Sequence, residues 1–131
     1  MKDQSKRVVL ITGGSSGIGL EMARQMLEQK STVIICGRSL EKLEKAKEKI
    51  PSVITVQCDI TKALDRKKMF EFIQNQFGGL NMLINNAGIM HHLFISSEEH
   101  LEEIIRKEWE TNYFSLIFLT KLFLPLLQDN K

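Results

Sequence analysis

The residues able to do chemistry in this chain stand where apolar runs end. The first such stretch is Thr12-Gly13-Gly14-Ser15-Ser16-Gly17-Ile18-Gly19, which follows the β-branched run Val8 to Ile11. A strand that stops at a glycine turn and passes into a helix offers free N–H groups and a positive dipole end to an anion. Each glycine has its own task. Gly13 permits a sharp reversal, because it tolerates φ > 0. Gly17 has no Cβ, so a pyrophosphate can come close to the backbone, and Gly19 lets the new helix lie near the sheet. The chemistry this predicts is capture of the phosphates of a dinucleotide, with Ser15, Ser16 and Ile18 on the turn. A tight turn without a ligand is the plain alternative.

The second group, Gly37-Arg38-Ser39, ends the next apolar run. Dinucleotide folds place an acidic residue about 20 positions after the glycines to bind the ribose 2′-hydroxyl. Here position 37 is glycine and a guanidinium follows. A carboxylate would repel a 2′-phosphate, whereas Arg38 can pair with it bidentately and stack on adenine. This predicts NADP(H) in preference to NAD(H), with Ser39 and Ser15 adding hydrogen bonds. A surface arginine after a strand is the alternative. The third group is Asp59-Ile60, just before Thr61, where the aspartate could instead simply precede a helix cap. The fourth is Asn85-Asn86-Ala87-Gly88, whose small residues again permit close approach to the backbone. His91-His92 could bind a metal, but adjacent histidines diverge on an extended chain and no carboxylate or cysteine stands at ligand spacing, so a substrate-side loop is expected there and no metal.

The elements that must position these groups alternate. Strands are predicted over 8–12, 32–36, 53–57 and 80–84, and helices over 17–29, 40–49 and 62–77, with a long helical region from 101 to about 127 that bends near Pro125. On the first helix Ile18, Met22, Ala23 and Met26 share a face; on the second Leu40, Leu43 and Ala46 do. Ser39 can cap the second helix, and Ser96-x-x-Glu99 reads as a capping box for the last. Gly78-Gly79 stops the third. Alternation at this pitch predicts a parallel, doubly wound α/β sheet of order 3-2-1-4, with the ligand over the C-terminal strand ends.

The 131 residues suffice for one core and are treated as one domain, 1–131. With 43% apolar and 26% charged residues the composition is that of a soluble globular protein. The net charge is +2, and lysines alternate with glutamates, so no stripe for nucleic acid or an anionic membrane forms. No apolar run reaches the ~18 residues of a membrane span, and no signal-peptide core follows Arg7. A cytoplasmic protein is expected, with Cys36 and Cys58 as buried reduced thiols.

The Gly-x-x-x-Gly-x-Gly turn with Thr12 before it, together with Asn85-Asn86-Ala87-Gly88, resembles the short-chain dehydrogenase/reductase family, including members associated with D-alanylation operons. The resemblance covers essentially the whole chain but only the first half of the family's domain. It implies a Rossmann-type sheet truncated after the fourth strand and its helix. It also implies hydride transfer between nicotinamide and a small carbonyl or alcohol substrate. By the same resemblance Asp59 accepts from the adenine amino group and the Ile60 N–H meets the ring. The first Asn of Asn85-Asn86 ties the central strands together, and Ala87-Gly88 passes the cofactor ribose. Asn112, in Trp109-Glu110-Thr111-Asn112, is the family's asparagine that bends the long helix and holds a water near the catalytic lysine. Ser115 stands where the family has glycine. Full-length relatives are expected to form homo-oligomers through the apolar stretch Tyr113 to Leu127.

The family's general acid is a tyrosine whose pKa, near 10 in isolation, is lowered by a lysine four residues later. Here the single tyrosine is Tyr113, followed at that distance by Ile117. No Ser, Tyr or Lys of this chain takes those roles. The expectation is the cofactor half of an NADP(H)-dependent oxidoreductase, inactive alone. The alternatives are a non-catalytic dinucleotide-binding module and a helix-mediated interaction protein.

Overall fold

The computed structural model describes residues 7–129. Four parallel strands, β1 (Val8–Thr12), β2 (Thr32–Gly37), β3 (Ile54–Gln57) and β4 (Met82–Ile84), form one sheet of order β3-β2-β1-β4. This is the expected doubly wound, Rossmann-like arrangement. Helices α1 (Gly17–Glu28), α2 (Leu40–Lys49) and α3 (Ala63–Phe77) alternate with the strands. After β4 come α4 (Leu101–Trp109), a π-helical turn (Glu110–Phe114) and α5 (Ser115–Asp129).

Successive residues of a strand point to opposite faces, so the apolar runs of β1 and β2 feed two cores. Val9, Ile11, Val33 and Ile35 pack with Ala23, Leu43 and Ala46 of α1 and α2. Leu10 and Ile34 pack with Met69 and Ile73 of α3 and Leu119 and Phe123 of α5. Both faces are covered, which is why these strands read as continuous apolar runs rather than alternating ones.

Local chemistry sets several boundaries. Ser39 Oγ accepts from the Lys42 amide and caps α2. Gly78, at φ 71°, ends α3. β4 begins at Met82 rather than Leu80: Leu80 is fully buried beneath the sheet, and Asn81 makes the first link to β1. The Val8 amide donates to Asn81 Oδ1 at 2.8 Å, and the Asn81 amide donates to the Val8 carbonyl at 2.9 Å. β3 likewise starts one residue late, at Ile54, although Val53 is buried.

Three helical expectations are corrected. Ile18 and Leu40 do not join the buried faces of their helices; they are 76% and 53% exposed. Each stands in the first turn of its helix, and the buried stripe of α1 starts at Gly19 and of α2 at Leu43. The capping box does not form. The amides of Ser97 and Glu98 are taken by the Phe94 carbonyl, and α4 starts only at Leu101 behind an uncapped His100. The long helical region is interrupted at 110–114 by the π turn, while Pro125 lies inside α5. α5 proves both core and surface: Leu119, Phe123 and Leu126 are buried, whereas Ile117, Phe118 and Leu124 are exposed.

Candidate functional site

The glycine turn is built from two residues in the left-handed region. Gly13 has φ 64° and Gly17 has φ 56°. At Gly13 a Cβ would also stand 2.8 Å from the Ala87 Cα, so the turn after β1 can only nest against the loop after β4 if residue 13 lacks a side chain. At Gly17 a Cβ would meet nothing within 4 Å. Its missing side chain leaves room on the open side, where a phosphate group can approach. Gly19 serves contact with the neighbouring turn: a Cβ there would lie 2.5 Å from Asn86 Nδ2 and 2.6 Å from the Gly13 carbonyl. Gly14 was not singled out by the sequence pattern, yet it is buried and any Cβ would overlap Ile35 of β2. The doubled glycine was the available signal.

Thr12 joins the two fingerprints. Its buried hydroxyl accepts from the amides of Asn86 and Ala87, both at 3.0 Å, and lies 3.4 Å from the Ile84 carbonyl. The second asparagine, not the first, makes the tie between central strands: Asn86 Nδ2 donates to the Gly13 carbonyl at 3.1 Å. Asn85 Nδ2 instead donates to Thr120 Oγ1 on α5 at 3.1 Å. Side chains alternate in direction along an extended segment, which separates the duties of adjacent asparagines.

These pieces surround a cleft of about 590 Å³ at the C-terminal ends of the strands. Gly13, Ser15, Ser16, Gly17 and Ile18 line one part; Arg38, Ser39, Asp59 and Ile60 line another; Asn86, Ala87 and Gly88 close it. Every predicted binding residue except the buried Gly19 is therefore on one cavity. Cys36, Lys42, Cys58, Thr61, Ile89 and Thr111 also line it without having been predicted as binding residues. Spacing to a known fingerprint had pointed only to the motif residues; these others reach the cleft through strand register and helix phase.

The electrostatics of the cleft suit an anion at one end and a hydrogen-bonding base at the other. α1 has no acidic residue in its first turn, and its Ser16 N-cap makes no side-chain cap bond. The positive end of that helix is left uncompensated by its own chain. Asp59 is held by Thr61, whose amide and hydroxyl donate to Oδ1 at 3.0 and 2.6 Å. Burial pushes the Asp59 carboxyl up, but the two Thr61 bonds and the charges of Arg38 and Lys62 outweigh it and hold the group below its ordinary value. The carboxylate thus stays ionised. Thr61 is not itself the cap of α3, which Lys62 precedes. Cys36 and Cys58 are buried free thiols in mutual contact. Its hydrogen bond with Cys58, then burial, pushes the Cys36 thiol well up, while the same bond draws Cys58 down.

Asn112 sits in the π turn and reaches back to the loop after β4. Its Oδ1 accepts from the Ile89 amide at 2.8 Å and its Nδ2 donates to the Ile89 carbonyl at 2.6 Å. Glu108 Oε1 holds the same loop by accepting from the His91 amide at 2.6 Å and facing His91 Nδ1 at 2.9 Å. The π turn puts Thr111 on the cleft wall while Tyr113 stacks edge-on with Trp109 and Phe114. Among the described residues no cluster of His, Cys, Asp and Glu could hold a metal ion, and no helix is long and apolar enough to cross a membrane.

Comparison with known proteins agrees with this geometry. The family model described as short chain dehydrogenase matches residues 7–131. The uncharacterized oxidoreductase DltE of Bacillus subtilis is 41% identical over 125 residues, covering 94% of this chain and 49% of that protein. The 11-beta-hydroxysteroid dehydrogenase A of Sesamum indicum is 31% identical over 137 residues, 99% of this chain and 38% of its own length. Among solved structures, L-sorbose reductase from Gluconobacter frateurii, complexed with NADPH and L-sorbose, superposes with a TM-score of 0.83 at 28% identity. That match covers 95% of this chain and 49% of the reductase. The chain thus spans about half the length, or less, of the relatives it matches.

Proposed function

Since this chain belongs to the short-chain dehydrogenase family, we propose that residues 1–131 are the cofactor-binding half of an NADP(H)-dependent oxidoreductase. The observation that carries the reading is the single cleft shared by the Gly13–Gly17 turn, Arg38, Asp59 and the Asn86–Gly88 segment. At Gly17, on the lining of that cleft, a Cβ would stand in open space rather than against the chain. The residues present therefore fit a dinucleotide.

When bound, NADP(H) supplies or accepts a hydride at the nicotinamide for a small carbonyl or alcohol substrate. This chain's residues do the binding and orienting. The first-turn amides of α1, with Ser15 and Ser16, would hold the pyrophosphate. Arg38 and Ser39 would hold the 2′-phosphate, and the ionised Asp59 would accept from the adenine amino group beside the Ile60 amide. Asn86 keeps the two turns in register, and Ala87 and Gly88 leave space for the ribose. Asn112 is assigned the positioning of the loop that borders the reacting end. The sequence holds no Tyr-x-x-x-Lys, so general acid chemistry is assigned to residues outside these 131. A cytoplasmic setting and assembly with further copies belong to the same proposal.

The test is a titration of NADP(H) and NAD(H) against the wild-type chain and Arg38→Asp, followed by nicotinamide or intrinsic Trp109 fluorescence. One charge-assisted contact contributes about 1.5–3 kcal/mol, so the wild type should prefer NADP(H) by roughly tenfold or more and the variant should lose that preference. Equal affinities in the wild type would overturn the cofactor assignment.

A further inference from the structure

The segment from Cys58 to Lys62, between β3 and α3, is tied down at almost every backbone group. The Cys58 amide donates to the Gly37 carbonyl at 2.9 Å, and the Lys62 amide donates to the Asp59 carbonyl at 3.0 Å. The Thr61 amide donates to Asp59 Oδ1. Two further ties come from the start of α3. Asp65 Oδ2 accepts from the Asp59 amide at 2.9 Å, and Arg66 Nη1 donates to the Ile60 carbonyl at 2.7 Å. The Arg66 guanidinium also lies over the Phe118 ring of α5, 5.4 Å from its centre, a cation–π contact that restrains it. Among the described residues no carboxylate pairs with Arg66, so its charge is directed at one carbonyl. Asp65 and Arg66 stand behind the cleft, not on its lining. Two groups of the segment make no hydrogen bond among the described residues: the Ile60 amide and Asp59 Oδ2. Both residues line the cleft.

Resting on the cofactor reading above, we propose that Arg66 is a positioning residue for base selection: by holding the Ile60 carbonyl it sets the Ile60 amide and Asp59 Oδ2 to discriminate adenine from hypoxanthine. The free amide belongs to the Asp59–Ile60 peptide. Asp65 fixes the peptide before it and Arg66 the peptide after it, so neither neighbouring plane can turn without breaking a charge-assisted bond. One free donor beside one free acceptor matches adenine, whose N1 accepts and whose amino group donates. Hypoxanthine carries an oxygen in place of the amino group and a hydrogen on N1. It meets acceptor with acceptor and donor with donor. A loop that could turn would adapt to either base, and one held at both flanks cannot.

The experiment measures dissociation constants of NADP+, its hypoxanthine analogue, 5′-AMP and 5′-IMP for the whole chain. The proteins are the wild type, Arg66→Met, Arg66→Lys and the control Lys67→Gln, whose lysine faces only Glu71 at 4.0 Å. The readout is the preference for adenine over hypoxanthine within each protein, which a partly unfolded sample does not alter. The wild type should favour the adenine ligand of each pair by roughly tenfold or more. Arg66→Met keeps a stem against Phe118 but has no donor. It should weaken NADP+ and 5′-AMP and leave the hypoxanthine ligands nearly as they were, so that the preference falls to about threefold or less. Arg66→Lys restores a donor and should recover most of the preference, and Lys67→Gln should keep all of it. An unchanged preference in Arg66→Met, or an equal loss for all four ligands, would overturn the positioning role and leave the cofactor reading standing. A wild type that binds NADP+ without preferring adenine would do the same. A wild type that binds none of the four would overturn both.

Discussion

Asn112 and Ile89 are joined by two hydrogen bonds, side-chain amide to backbone, across the interruption in the last helical region. The π turn over Glu110–Phe114 is what sets Asn112 against the loop. π turns of this kind recur at functional positions because the extra residue re-aims a side chain that an α-helix would place elsewhere. Gly88 completes the fit: a Cβ there would press on Asn112 Oδ1 at 3.3 Å.

Replacing Asn112 by Ala should free the loop without unfolding the sheet. Each lost bond is worth about 0.5–1.5 kcal/mol. Amide exchange over residues 89–95 should therefore accelerate by roughly tenfold or more, while exchange in β1 and β2 stays as in the wild type. Hydrogen-exchange mass spectrometry reads both; unchanged protection at Ile89 would show that other contacts hold the loop.

The two glycines 14 and 17 should fail in opposite ways. Gly17→Val places its side chain in open space, at a left-handed φ that costs about 1–2 kcal/mol. The chain should still fold but lose dinucleotide binding. Gly14→Val puts bulk into Ile35 and should lower stability by several kcal/mol, at the high end of the ~1–3 kcal/mol typical of overpacking. Thermal melts beside cofactor titrations separate the cases. Wild-type binding by Gly17→Val would make the turn structural only.

Thr12 should be sensitive to chemistry rather than size. Thr12→Val keeps the shape but leaves the Ala87 amide without its acceptor, while the Asn86 amide keeps its bond to the Ile84 carbonyl at 3.1 Å. An unsatisfied buried donor costs about 1–3 kcal/mol. Thr12→Ser should recover most of that loss. Urea unfolding of the two variants checks the order, and equal destabilisation by both would mean that the methyl, not the hydroxyl, matters.

Asp59 gives a pH signature. Its carboxyl is held below its ordinary value of 3.8 in the folded chain. A depressed carboxyl contributes stability that is fully present above the unfolded pKa and is lost as pH falls through the folded one. The difference in urea midpoint between the wild type and Asp59→Asn should be constant from about pH 8 to 5 and shrink only below about pH 4. A difference that changes near neutrality would assign the effect to another group.

The paired thiols report on occupancy. Cys36 and Cys58 line the cleft, so bound NADP+ should slow their alkylation by iodoacetamide. Without ligand Cys58 should react ahead of Cys36, whose thiol is pushed up by its bond to Cys58 and by burial. Mass spectrometry of tryptic peptides gives both rates. Alkylation unaffected by saturating NADP+ would place the ligand elsewhere.

Much of this was legible from residue order. The apolar runs of β1 and β2 are long, β-branched and bounded by glycine, so their pairing and the two-faced core follow from hydrophobic patterning. The glycine turn is equally local: positive φ at residues 13 and 17 is a backbone demand that only glycine meets without strain. Arg38 after β2 and Asp59 after β3 could be placed because parallel strands of similar length end at one edge of the sheet.

What required the folded chain is everything set by contact across distant segments. Ser96 and Glu99 have the spacing of a capping box, but residues 95–97 lie in a turn closed on the Phe94 carbonyl and α4 starts only at Leu101. Adjacent asparagines 85 and 86 look alike in sequence, and only their opposite directions from the backbone send one to α5 and the other to the Gly13 carbonyl. Ile18 has helical spacing to a buried stripe, yet the sheet ends before it. The π turn leaves no mark in a pattern of apolar residues, because its extra residue is stabilised by tertiary bonds to Ile89 rather than by local propensity. Sequence alone determined the glycine turn, which depends on steric limits within a few residues, and the strand order, which follows from the alternation of strands and helices and the handedness of their crossovers. Tertiary structure decided which side chains close the cleft, since that depends on where separate elements meet.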